Sequence, residues 1–202
     1  MHATIVLLVS LVSWCVVLYA RAKPKHRKEK IPLVFFSGHR YWDTGISFPR
    51  AFLPLIECFH QRYMGFNTIA VRVTLTNSRQ QILRCHMTPD RQKYPIIWDI
   101  GAGGYVPHGM TPYETAVMET SEELGFCIRG MNATSFVTYP TDGFNHIIFH
   151  YVIVKDDFHF NPESTDRTYT HTEWRPLQII LNYPAQYKHD PHAFVRKYLL
   201  PL

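Results

Sequence analysis

Charged residues make up only 18% of this 202-residue chain, and outside one short stretch neither sign is in excess. The net charge of +5 resides in residues 21–30, RAKPKHRKEK, with six Lys/Arg against one Glu; the remainder holds 15 basic and 15 acidic residues. The body of the chain therefore lacks the basic face that a nucleic-acid polymer requires. Cysteine is scarce and scattered: Cys15, Cys58, Cys85 and Cys127 show neither the density of a disulfide framework nor the paired spacing of a zinc site. Buried thiols in a reducing compartment fit best. Internal repeats and low-complexity tracts are absent, which excludes solenoids. Hydrophobic content of 46% with 14% aromatics excludes bulk disorder.

Charge is missing altogether from Ala3 to Ala20, ATIVLLVSLVSWCVVLYA. Eighteen such positions reach the lower limit for spanning a bilayer. A signal peptide is the competing reading. Against it, the run is long, no Lys or Arg precedes it, and basic residues crowd the Ala20-Arg21-Ala22 position. A core helix is the plain alternative, disfavoured by the terminal position and the abrupt basic flank. The reading is a single-pass membrane anchor through residues 3–20, with the Lys/Arg bias placing the following domain in the cytosol. Asn132-Ala133-Thr134 is a glycosylation sequon, which matters only if the domain is luminal.

The expected organisation is an anchor at 1–20, a basic juxtamembrane linker at 21–30, an aromatic, Pro-punctuated extension at 31–66, and an α/β domain at 67–202. Ala51 to Tyr63 reads as a short helix limited by Pro54. NTIAVRVTLT (67–76) and QILRCHM (81–87) read as strands joined by the turn NSRQ. YPIIWDIGAGGYV (94–106) is strand-like but broken by glycines, and HIIFHYVIV (146–154) is a strongly β run. Residues 156–172 read as a polar loop. EWRPLQIIL reads as a strand end followed by a short helix, and Asp190-Pro191 as the cap of a last helix ending near Leu200. Strands interrupted by one central helix imply a mixed α/β sandwich.

The clearest helix signal is Thr111–Leu124. Thr111 suits the N-cap, Pro112 the first helical position, Glu114 completes a capping box, and Gly125 stops the helix. Glu119 stands three residues before Glu122 and four before Glu123, so all three carboxylates share one helical face. Left bare, they repel by a few tenths of a kcal/mol per pair. A hard divalent cation converts that cost into binding energy, because Mg2+ takes oxygen ligands. A solvated acidic face is the alternative reading of the same triplet.

The segment from Gly104 to Phe126 resembles the signature box of the Nudix hydrolases: Gly, five residues, Glu, seven residues, then Arg-Glu-apolar-any-Glu-Glu-any-Gly-apolar. Gly104, Glu119, Glu122, Glu123, Gly125 and Phe126 fall in register, six of the nine specified positions. Met110 replaces the first Glu, Met118 the Arg, and Thr120 an apolar residue. AVRVTLTNSRQQILRCHM is similar to the family's opening hairpin. WDIGAGGYV is similar to the approach to the box in the branch related to isopentenyl-diphosphate isomerase, and HTEWRPLQII to a later strand. The resemblance spans roughly 67–200.

The resemblance implies an α/β/α sandwich with a mixed sheet, here behind an N-terminal transmembrane helix. It implies hydrolysis of a small-molecule diphosphate, a nucleoside diphosphate linked to another group or a related organic diphosphate. By position, Glu119, Glu122 and Glu123 would hold Mg2+ or Mn2+, with Glu119 and Glu122 as catalytic residues and Glu119 as the base or bridging ligand. The Gly103-Gly104 backbone would pass close to the phosphates. Glu163, Asp166 and Glu173 are candidates for a further ligand after the box. His108 is a candidate phosphate contact, and Tyr139, Phe144 and Trp174 are candidates to stack a base or line an isoprenoid pocket, against a packing role for each. The paired methionines suggest an apolar replacement of a Glu–Arg pair. They leave open a catalytically weak binding module, with an isomerase-like enzyme as a further alternative.

Overall fold

A computed structural model describes residues 2–22, 28–37, 40–53, 66–92, 97–138 and 146–183. The chain divides into two compact units, one of Met1–Ala70, Tyr105–Thr111 and Thr138–Ile148, the other of Val71–Gly104, Pro112–Val137 and Phe149–Leu202.

In the first unit the apolar run forms helix α1, His2–Arg21. Its last turn meets a 3-10 turn at Arg50–Phe52, where the rings of Tyr19 and Phe52 lie 6.1 Å apart. Among the described residues no helix is long and apolar enough to cross a membrane; the side chains of residues 2–9 of α1 lie outside that description. Strands β1 (Lys30–Ser37) and β2 (Arg40–Pro49) form an antiparallel hairpin where the sequence suggested only an extension. Ile31, Phe48 and Leu53 make its core, and Arg50 pairs with Glu29 at 2.9 Å. The helix expected over Ala51–Tyr63 is described only as far as Leu53, and its start is the 3-10 turn.

The two expected strands form as β3 (Phe66–Thr76) and β4 (Gln81–Met87). The NSRQ turn has a physical author in Asn77, whose Oδ1 accepts from Arg79 N and Gln81 N at 3.1 and 2.9 Å, while Gln80 takes φ +56°. In the second unit β4 pairs antiparallel with β5 (Trp98–Ile100) and with β9 (Tyr169–Pro176). β6 (Ala102–Tyr105) pairs with β3, and β7 (Thr134–Thr138) with β8 (His146–Val154). Thus the stretch read as a loop over 156–172 already enters a strand at Tyr169, and β7 had no strand signal of its own.

The pleat of β4 separates two environments. Ile82 packs with Trp98, Ile100 and Ile180, the last from helix α3 (Leu177–Asn182). Leu83, Cys85 and Met87 point to the other side and are buried. That side carries the central helix α2, Pro112–Leu124, which buries Thr115, Ala116, Val117, Glu119, Thr120, Glu123 and Leu124. Gly125 ends the helix at φ +72°, its N–H donating to the Ser121 carbonyl at 3.1 Å. The last helix expected near Leu200 lies outside the described residues.

Candidate active site

Helix α2 places Glu119 and Glu123 one turn apart, and both are nearly inaccessible, at 5% and 6% exposed. Glu122, three residues from Glu119, is half-buried on the helix flank. The helix meets the glycine loop at its carboxylates. The Gly103 N–H donates to Glu123 Oε2 at 3.0 Å. A Cβ on Gly104 would fall 2.2 Å from Glu119 Oε1, so any side chain there would displace that carboxylate. Gly103 is more tightly constrained, its hypothetical Cβ falling 2.4 Å from the Val71 backbone carbonyl oxygen. The structure therefore brings the two glycines and the two buried glutamates together.

The three departures in the box can be placed individually. Thr120 is fully buried, and its hydroxyl donates to the Ala116 carbonyl at 2.6 Å. That back-bond satisfies the polar atom within the helix, so threonine occupies an apolar position without an orphaned group. Met118 is half-buried on α2, and Met110 is half-buried in the loop, where its N–H donates to the Pro107 carbonyl at 3.1 Å.

The post-box candidates separate clearly. Glu173 sits between Arg84 and Arg175, at 2.6 and 2.5 Å, in a salt-bridged cluster on the Ile82 side of β4. Burial pushes its carboxyl up, but the hydrogen bonds and charges of the two arginines more than reverse this and hold it below the ordinary range. Glu163 is exposed in a 3-10 turn, Pro162–Ser164. Asp166 is tied to the helix by a hydrogen bond, its N–H donating to the Glu122 carbonyl at 2.7 Å. Its carboxylate accepts from Thr168 N and Oγ1, and lies 3.9 Å from Arg91. His108 is exposed and its N–H donates to the Lys30 carbonyl. Trp174 lines a cleft of about 290 Å³ with Leu83, Phe158, His159 and Phe160. Tyr139 and Phe144 lie outside the described residues.

A set of buried residues that the sequence did not single out lies behind the loop. Arg72 pairs with Asp99 at 2.8 Å, and Tyr169 donates to the Gly101 carbonyl at 2.9 Å with Glu123 Oε2 at 3.4 Å. Burial first, then the Glu123 carboxylate, pushes the Tyr169 hydroxyl well above its ordinary value, so it remains a donor at neutral pH. Cys85 is fully buried, and burial followed by the Asp99 charge raises its thiol similarly. The only advance signal was Asp99 within an otherwise apolar strand, a placement that demands a partner.

The donor set is all-oxygen and anionic, which suits a hard divalent cation better than zinc or copper. Among the described residues no group of three or more His, Cys, Asp or Glu side chains is arranged to hold a metal ion.

No curated protein matches the chain in sequence. Several solved structures match its fold. Protein DR0079 of Deinococcus radiodurans is 24% identical with a TM-score of 0.56, over 64% of this chain and 82% of that one. A NUDIX hydrolase from Nitrosomonas europaea is 14% identical with a TM-score of 0.51, over 67% and 90%. A MutT structure from work on the Aliivibrio salmonicida and Vibrio cholerae proteins is 16% identical with a TM-score of 0.51, over 67% and 99%. The family model of the NUDIX domain matches residues 66–198, which includes the glycine loop, α2 and β9; the chain belongs to the NUDIX domain family.

Proposed function

We propose that this protein is a membrane-anchored hydrolase of a small organic diphosphate, dependent on Mg2+ or Mn2+. The observation that carries the reading is the convergence of Glu119 and Glu123 on the Gly103-Gly104 backbone. Two carboxylates buried a helical turn apart repel one another, and a divalent cation between them would offset that repulsion. Glu119, Glu122 and Glu123 would hold it. When bound, the metal supplies Lewis acidity that offsets the diphosphate charge and acidifies a water. The chain supplies the remainder. Glu119 accepts the proton of the attacking water, the Gly103 N–H keeps Glu123 in one orientation, and the bare Gly104 backbone leaves room for the phosphates. The cleft beside Trp174, lined by aromatic rings together with Thr170, His171 and Thr172, offers a mixed polar and aromatic surface for the organic group.

The anchor is supported by α1. Leu11, Val12, Trp14, Val16, Val17 and Tyr19 are all exposed. At 100° per residue they point to every side of the helix, which suits a lipid environment and not a packing stripe. A cytosolic orientation follows from the basic residues after it.

A catalytically weak binding module is favoured by one observation only, the methionines at 110 and 118.

The test is phosphate release by the detergent-solubilised full chain from nucleoside and isoprenoid diphosphates, with and without Mg2+ or Mn2+. Metal-dependent release that falls at least ~10-fold in Glu119→Gln or Glu122→Gln is expected. Metal binding without turnover of any substrate would favour the binding module.

A further inference from the structure

Tyr169 opens β9 opposite Met87 and is 2% exposed. A phenylalanine would fill the same apolar volume, so the hydroxyl calls for an explanation. A phenol carries one proton. Here that proton faces two acceptors, the Gly101 carbonyl at 2.9 Å and Glu123 Oε2 at 3.4 Å. Neither acceptor is incidental. Gly101 is fixed at φ +79°, and a Cβ there would fall 1.8 Å from the Val73 carbonyl oxygen, so its peptide is locked against β3. Glu123 Oε2 also receives the Gly103 N–H at 3.0 Å. Two donors thus converge on one oxygen of one carboxylate, one from the glycine loop and one from a strand 46 residues away in sequence.

We infer that Tyr169 is a positioning residue of the proposed metal site: its hydroxyl, shared between the Gly101 carbonyl and Glu123 Oε2, sets the rotation of the Glu123 carboxylate against the Gly103 backbone. The inference rests on the reading of Glu123 as a metal ligand. A carboxylate held by donors at one oxygen presents a defined face to a cation and loses less rotational freedom on binding it. Losing such an outer partner typically weakens metal affinity about 10- to 100-fold. The Arg72–Asp99 ion pair, buried nearby, adds fixed charges but makes no hydrogen bond to Tyr169 among those described.

The experiment titrates Mn2+ into the full chain in detergent micelles and follows free Mn2+ by electron paramagnetic resonance, beside a thermal melt of the metal-free protein. Tyr169→Phe is expected to weaken Mn2+ binding about 10-fold. Tyr169→4-aminophenylalanine, which restores a donor, should recover most of it. In a Glu123→Gln background, Tyr169→Phe should cause no further loss. If Tyr169→Phe does not fold, 4-fluorophenylalanine and 4-aminophenylalanine at the same codon compare a non-donor with a donor of similar size. A non-donor ring that lowers the melting temperature while Mn2+ affinity stays at the wild-type value overturns the inference and leaves the metal site standing. A wild-type protein that binds no Mn2+ overturns both.

Discussion

Gly104 and Glu119 are in such close apposition that a methyl group on the glycine would fall 2.2 Å from the glutamate's Oε1. The atom in the way is the end of a flexible side chain, so it can yield. Gly104→Ala should therefore fold with a stability change below about 1 kcal/mol, while pushing the Glu119 carboxylate out of place and lowering turnover at least ~10-fold. Gly101→Ala is the contrasting case. Its Cβ would meet the Val73 backbone oxygen at 1.8 Å from a left-handed φ, and neither can move cheaply. A loss of roughly 3 kcal/mol or more is expected. Chemical denaturation together with a phosphate-release assay separates the two. Equal loss of stability in both variants would show that the Gly104 contact is structural only.

Glu173 lies in the post-box region that could supply a further ligand, but its arginine partners assign it to the scaffold. Its folded pKa lies below the ordinary carboxylate value. The stability it contributes is thus present above that ordinary value and is lost as pH falls through the depressed one. Glu173→Gln should cost about 1 kcal/mol at neutral pH, as a partly exposed ion pair does. The cost should fade well below about pH 4, with Mn2+ affinity unchanged throughout. A Mn2+ affinity that drops in this variant would return Glu173 to the site.

The sequence spoke most clearly where local rules and tertiary structure agree. Gly125 at a left-handed φ stops α2 where a helix terminator was expected, and Asn77 builds the turn between β3 and β4. The glutamate spacing was legible because helix geometry alone puts residues 119 and 123 on one face. Long-range pairing was not. Tyr169 to Thr172 reads as polar loop because threonine and histidine dominate it. It becomes strand only because β4 pairs with it from Gln81 to Met87. In the β1–β2 hairpin, within what the sequence offers only as a Pro-punctuated extension, Pro32 stands where the register shifts before Val34, and an irregular pairing tolerates a missing N–H. The roles of Tyr169 and Arg72 depend on partners 46 and 27 residues away, which no periodicity reveals.

Topology supplies the next prediction. If the proposed anchor holds α1 in a membrane with the basic segment on the cytosolic side, protease added to sealed microsomes should digest residues 31–202. Asn132 is exposed on the fold and should nonetheless carry no glycan. A protected domain, or an endoglycosidase-sensitive mass shift lost in Asn132→Gln, would reverse the orientation. Extraction of the protein by carbonate alone would remove the anchor.

Met110 and Met118 decide how the degenerate box should be regarded. Replacing both members of an ion pair by apolar residues can be neutral, whereas replacing one strands a charge. Met118 is half-buried, so an arginine there can extend toward solvent and its cost is limited. Met118→Arg alone should destabilise by about 1–2 kcal/mol, and Met110→Glu alone by a similar amount. If the two positions act as a unit, the double variant should recover much of the loss, with a coupling of at least about 0.5 kcal/mol in urea melts. An arginine beside Glu119 would also help hold that carboxylate, so the double variant should turn over substrate faster than the parent. Losses that simply add would mean that the two positions never formed a unit. The departures would then be independent, and a binding role for the site would outrank a hydrolytic one.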